Sequence, residues 1–191
     1  MNKEVYVSVD IEADGPIPGD FSMLSLGAVA FNDDGVEIDS FSVNLYPLEG
    51  ARQYPKTMEW WKTQPEAWDE VQRNRVSPEV GMWEFSSWLN ALYEEGTPVF
   101  VGYPATFDFT FVFWYLQHFT GGCPFGWAGL DIKTYAMACM DSSYRGAAKR
   151  HMPKEWSKNR GKHSHIAVED AREQGHLFFN IRKSLRTVWV E

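Results

Sequence analysis

Cysteine is nearly missing from this chain: only Cys123 and Cys139 among 191 residues. A secreted scaffold held by disulfides needs a denser set, so both are expected to be reduced thiols of a cytoplasmic protein. Long apolar runs are also lacking, and none approaches the roughly 18 residues of a membrane span. The 10 prolines and 15 glycines are scattered rather than clustered, which excludes fibrous and low-complexity classes. The first residues alternate like a strand and lack the continuous apolar core of a signal peptide. An excess of positive charge is absent as well. The net charge is −8, which at first sight argues against a polyanionic partner. Present instead are 44% hydrophobic side chains, in a length that suits one domain and buries a core without staples. The expectation is a single soluble domain over 1–191, with no membrane partner.

The charge is unevenly spread. Between Arg145 and His163 there are seven basic residues (Arg145, Lys149, Arg150, Lys154, Lys158, Arg160, Lys162) against one acid, Glu155. The strip is therefore +6 and the rest of the chain −14, as in a protein that holds cations at one place and anions at another. A solvated basic loop would show the same run.

Periodicity supplies the elements. Glu4 to Ile11 places Val5, Val7 and Val9 on one face of a strand. Met23 to Phe31 and Val36 to Leu45 follow, joined by Asn32-Asp33-Asp34-Gly35, a hairpin signal. One or two short helices fall between Tyr54 and Arg75, broken at Pro65. A longer helix runs from Pro78 to Gly96. Val99 to Val101 and Leu130 to Ile132 read as short strands, Phe107 to Phe119 and Ala167 to Leu185 as helices. Three antiparallel strands, then helices alternating with short strands, predict an α/β mixed sheet.

Carboxylates recur at three spaced places. Asp10 and Glu12 lie two apart on the first strand, hence on one face. Two carboxylates so placed repel unless a cation lies between them, and hard divalent ions such as Mg²⁺ and Mn²⁺ want oxygen ligands. Asp108 lies in the first turn of the Phe107–Phe119 helix, where complementing the helix dipole alone would account for it. Phe107 and Phe111, four apart, are expected to point inward together. Asp131 is a rival for the fourth carboxylate. His163-Ser164-His165 precedes Asp170, which is early in the closing helix.

Taken in order, Asp-x-Glu, Phe-Asp at a helix start and His-x-x-x-x-Asp at the last helix resemble the histidine-bearing branch of the DEDD superfamily of 3′–5′ exonucleases (DEDDh). That branch includes RNase T, oligoribonuclease and the proofreading subunits of replicative polymerases. Thr57-Met58-Glu59-Trp60-Trp61-Lys62 and Ser25-Leu26-Gly27-Ala28-Val29 are similar to elements of phage DexA-like exonucleases and their bacterial exoribonuclease relatives. The chain departs from the family's pattern where Tyr103-Pro104 replaces a frequent His-Asn and Ser25 a frequent Glu.

The resemblance implies a ribonuclease H-like mixed sheet flanked by helices. It implies Asp10, Glu12, Asp108 and Asp170 as ligands of two Mg²⁺ or Mn²⁺ ions, with His165 as general base. It also implies release of nucleoside 5′-monophosphates from 3′ ends, and a homodimer by analogy. Trp61, Trp60 and Phe107 are the candidates for stacking on unpaired bases of RNA or DNA. Lys162 stands for the basic strip against the backbone. A ribonuclease H-type endonuclease, a non-catalytic nucleic-acid-binding module on the same fold and a small-molecule phosphatase remain the alternatives.

Overall fold

The computed structural model describes residues 3–157 and 164–188. Strand β1 (Glu4–Ala13) is central in a five-stranded sheet of order β3-β2-β1-β4-β5. Strands β2 (Met23–Phe31) and β3 (Glu37–Asn44) run antiparallel to their neighbours. Strands β4 (Thr97–Gly102) and β5 (Gly129–Asp131) run parallel to β1 and to each other's direction. The β2–β3 turn is built as the sequence predicts. Asn32 Oδ1 accepts hydrogen bonds from the Asp34 and Val36 amides, and Gly35 takes the left-handed conformation at φ 78°.

Three helices cross from β3 to β4: α1 (Pro55–Trp61), α2 (Pro65–Val71) and α3 (Pro78–Ala91). Each opens on proline, whose missing amide costs nothing at a helix start. Helix α4 (Ala105–Thr120) links β4 to β5 and stops at Gly121, φ 75°. A short helix, α5 (Ile132–Cys139), follows β5. The sequence reading had no helix there, because its eight residues are too few to display a clear apolar stripe. Helix α6 (Ala167–Val188) closes the chain.

The sheet is covered on both faces. Val5, Val7, Val9, Ile11 and Ala13 of β1 join Met82, Phe85 and Leu89 of α3 and Phe111 and Tyr115 of α4 in one core. Tyr6, Val29, Phe31 and Val101 join Leu177, Phe178, Phe179 and Ile181 of α6 in another. Glycine lets α6 come this close. A β-carbon on Gly27 would lie 2.1 Å from the Val168 amide nitrogen, and one on Gly175 would lie 2.2 Å from the Phe31 ring. Gly27 pairs with Asp10 across β1–β2, so the start of α6 is seated directly over the first carboxylate.

Candidate active site

Asp10 and Glu12 leave β1 on the face that α6 covers, and each is 8% exposed. Asp108 comes from the first turn of α4. The last β1–β4 pair is Ser8 with Val101, so the ladder has ended by Ile11, and Asp108 Oδ1 accepts the Ile11 amide at 3.3 Å. Asp170, in the first turn of α6, has no exposed surface. Its two carboxylate oxygens accept the backbone amides of Ser164 (3.0 Å) and His165 (2.8 Å). His165 is thereby held in the left-handed region, φ 56°, a conformation rare for residues with a side chain and frequent in functional loops. Its Nδ1 lies 3.7 Å from Glu12 Oε1, and its ring meets that of Trp60 edge-on at 4.8 Å. The structure thus brings the five polar candidates together from a strand, two helix starts and one loop.

Burial dominates the electrostatics. It raises the Asp10 carboxyl well above the usual carboxylate range, with the charges of Asp108, Glu12 and Asp170 adding to the effect. Burial and the charge of Glu12 push Asp108 up to about 8. Without a cation, the cluster relieves its repulsion by holding protons. The hydrogen bond to Glu12 raises His165. Its place just before α6 suggests the opposite, because the positive end of the dipole favours neutral imidazole. The facing carboxylate outweighs the dipole.

The donors fit hard divalent cations. They are buried carboxylate oxygens in excess of nearby positive charge. Ligand atoms of Glu12, His165 and Asp170 lie within 4.8 Å of one another.

Asp131, the rival carboxylate, is engaged at helix starts. Its Oδ2 accepts the Ala105 amide at 2.9 Å and its Oδ1 the Thr134 amide at 2.7 Å, so it caps α5 and holds the start of α4. The tryptophan pair requires a correction. Trp61 is 1% exposed, packs with Leu24, Ala67 and Val71, and donates Nε1–H to the Ala13 carbonyl at 3.0 Å. It pins α1 to the end of β1 and has no free face for a base. Trp60, half-buried, is the one beside His165. Phe107 is corrected as well, for it is 39% exposed while Phe111 is buried beneath it, ring centroids 5.2 Å apart. Lys162 and His163 lie outside the described residues.

Sequence reasoning missed three side chains beside the cluster. Gln174 Nε2 donates to Asp10 Oδ1 at 2.5 Å, and Lys149 Nζ pairs with Glu173 Oε2 at 3.3 Å. Asp170, Glu173 and Gln174 occupy the first turns of the stripe that Leu177, Phe178 and Ile181 continue into the core. Polar residues at i, i+3 and i+4 on an otherwise apolar stripe were the available signal.

A family model described as a 3′-5′ exoribonuclease Rv2179c-like domain matches residues 5–181. The chain belongs to this family of 3′-5′ exonucleases. Among curated proteins, this Rv2179c-like chain is 37% identical over 184 residues to the 3′-5′ DNA exonuclease Cap18 of Escherichia coli, covering 95% of this chain and 94% of Cap18. Two solved structures share its fold. One is the nuclease domain of 3′hExo, a DEDDh family member, bound to rAMP (TM-score 0.70, 12% identity, 94% of this chain and 92% of that one). The other is the zinc-bound E. coli ExoI–ssDNA complex (TM-score 0.70, 12% identity, 98% of this chain and 42% of that one). The ribonuclease H-like mixed sheet implied by the motifs is thus the observed fold. No helix among the described residues is long and apolar enough to cross a membrane.

Proposed function

We propose that this chain hydrolyses single-stranded RNA or DNA from its 3′ end, releasing nucleoside 5′-monophosphates, with Asp10, Glu12, Asp108 and Asp170 holding two Mg²⁺ or Mn²⁺ ions. The observation that carries the reading is the convergence of four buried carboxylates from β1, α4 and α6, with His165 3.7 Å from Glu12. When bound, the ions would supply the charge that offsets the phosphodiester's and the developing oxyanions'. The remaining steps belong to the chain. His165 takes a proton from the attacking water, for which its ring must be neutral. Glu12 favours the protonated ring, and a cation held by Glu12 would weaken that preference. The left-handed backbone at His165, fixed by Asp170, sets where that proton goes.

Trp60 and Phe107 border the cluster and offer rings to unpaired bases, which paired bases would engage less freely. Beside His165, a cleft of about 460 Å³ lined by Thr63, Gln64, Glu66 and Ser164 leaves room for a terminal nucleotide. The family description names RNA and Cap18 is named for DNA; both polymers carry the phosphodiester that the cluster addresses. The family match over 5–181 supports reading the chain as one exonuclease domain.

The test is a time course on 3′- and 5′-labelled single-stranded RNA and DNA with Mg²⁺, Mn²⁺ or EDTA. Mononucleotides are expected from the earliest points and none with EDTA. Cleavage of a circular strand would replace the exonuclease reading with the endonuclease one.

A further inference from the structure

Lys149 belongs to the basic strip, yet it does not lie on a solvated face. It sits in a 3₁₀ turn (Lys149–His151) between α5 and α6, and its side chain is 22% exposed. Two partners fix it. Glu173, whose side chain is 2% exposed, accepts from Nζ at 3.3 Å. Tyr103 receives the Lys149 amide on its hydroxyl at 3.0 Å and lies with its ring 4.8 Å from Nζ. Glu173 is one turn along α6 from Asp170. Tyr103 is at the β4–α4 junction that delivers Asp108, at the position where this chain departs from the family's His-Asn. An ammonium has three donors, and Glu173 takes one.

Position relative to the base suggests the role. His165 engages Glu12 and Asp170. His165 meets Trp60, which packs with Leu24 of β2, whereas Lys149 is held by Tyr103 just past the end of β4. The proton acceptor and the fixed cation therefore lie towards opposite neighbours of β1, the strand that carries Asp10 and Glu12. In an in-line displacement the attacking and leaving oxygens are on opposite sides of phosphorus. A cation on the side away from the base is placed where the leaving oxygen gathers charge.

We propose that Lys149 is a further catalytic residue, a preset cation that stabilises the departing 3′-oxygen, and that Glu173 and Tyr103 are its positioning residues. This rests on the hydrolytic reading above. Water adds to phosphorus and gives its proton to His165. The P–O3′ bond breaks and its electron pair stays on the 3′-oxygen, which accepts a hydrogen bond from the Lys149 ammonium and then a proton from solvent. The ammonium keeps its own proton throughout.

The experiment compares two substrates under saturating Mn²⁺: a single-stranded oligonucleotide and the p-nitrophenyl ester of thymidine 5′-monophosphate. The nitrophenolate leaves as a stable anion and needs little help. Lys149→Met is expected to lower kcat on the oligonucleotide by about 10²-fold, as loss of one oxyanion donor does, and on the ester by less than about threefold. KM for the oligonucleotide should be unchanged, because the interaction forms in the transition state, and Mn²⁺ affinity by calorimetry should not fall, because a positive charge has been removed from beside the cation site. Lys149→Arg should restore most of the rate. Equal losses on both substrates, or a loss that tracks weaker Mn²⁺ binding, would overturn the proposal. If Lys149→Met does not fold, Glu173→Gln gives the same comparison, with a smaller loss confined to the oligonucleotide expected. A wild-type protein inert towards the oligonucleotide would defeat the hydrolytic reading itself, a result distinct from any effect of Lys149.

Discussion

The two faces of β1 are equally buried and chemically opposite. Towards α3 and α4 the strand presents Val5, Val7, Val9, Ile11 and Ala13, and the core there is closed by Phe85, Phe111 and Tyr115. Towards α6 it presents Tyr6, Ser8, Asp10 and Glu12, every one below a tenth exposed. Burial stabilises the first face, because apolar area leaves water. On the second face burial works against the fold, since each desolvated carboxylate is costly without a counter-charge. One strand thus carries a stability surface and a reactivity surface back to back. The difference means that the polar face costs stability that the apolar face supplies.

Substitutions on each face should separate the two roles. The largest effect is expected from Asp108→Asn or Asp10→Asn. Turnover should fall by about 10³-fold or more, since no neighbour replaces a lost ligand. In chelator, urea unfolding should move to higher concentration, because a like-charge cluster is relieved. If Asp108→Asn kept its rate while Asp131→Asn lost it, the ligand set would have to be redrawn.

His165→Ala should reduce kcat by about 10²–10⁴-fold with Mg²⁺ affinity intact by calorimetry, and the acidic limb of the pH–rate profile should flatten. His163→Ala is the control, and an equal loss there would move the base. The opposite face should answer in stability alone. Phe111→Ala is expected to cost about 3–5 kcal/mol in urea unfolding, while kcat per folded molecule stays within a few-fold. A large loss of kcat there would show that the faces are not independent.

A gentler probe is pH. The Asp108 carboxyl titrates at about 8 in the folded chain against 3.8 as its ordinary value, so the folded state binds the proton more tightly. Its contribution to stability is complete below about pH 4 and fades as pH rises through about 8. Metal-free protein in EDTA should therefore unfold at lower urea at pH 8.5 than at pH 5, and Mg²⁺ should remove most of the difference. A flat profile in EDTA would mean that the cluster is already neutralised by fixed charges. The smallest effects separate the tryptophans. Trp60→Ala should raise KM for single strands by an amount equivalent to about 1–3 kcal/mol with little loss of stability. Trp61→Ala should lower stability instead.

These contrasts mark what could be read from the chain alone. The strand period of two put Asp10 and Glu12 on one face. The helix-start position of Asp108 and the four-residue gap from His165 to Asp170 completed the family resemblance, which implied the remaining ligand candidates and the mixed sheet. Adjacent tryptophans were another matter. Trp60 and Trp61 lie about 100° apart on α1 and are equally apolar, so only the Ala13 carbonyl beneath one of them decides which is core. Phe107 and Phe111 share a spacing but not an environment, because the helix start lifts the first out of the sheet's cover. Lys149 was legible only as one of seven basic residues in the strip, with nothing to single it out. It approaches the cluster from a short turn, and its partners Tyr103 and Glu173 are 46 and 24 residues away in sequence. The raised proton affinity of His165 depended on a contact with Glu12 that no spacing encodes.

Helix α6 carries Asp170, which fixes the His165 backbone, together with Glu173 and Gln174, the partners of Lys149 and Asp10. Its seat is set by two glycines with no slack for a methyl group. Mechanically, α6 is a single beam on which most of the reaction geometry is mounted, and the bearing has almost no play. A slide of a fraction of an ångström along the sheet would detune ligand, base and both partners together while most of the buried apolar area stayed in place. On heating, activity should therefore vanish several degrees before the tertiary circular dichroism signal does.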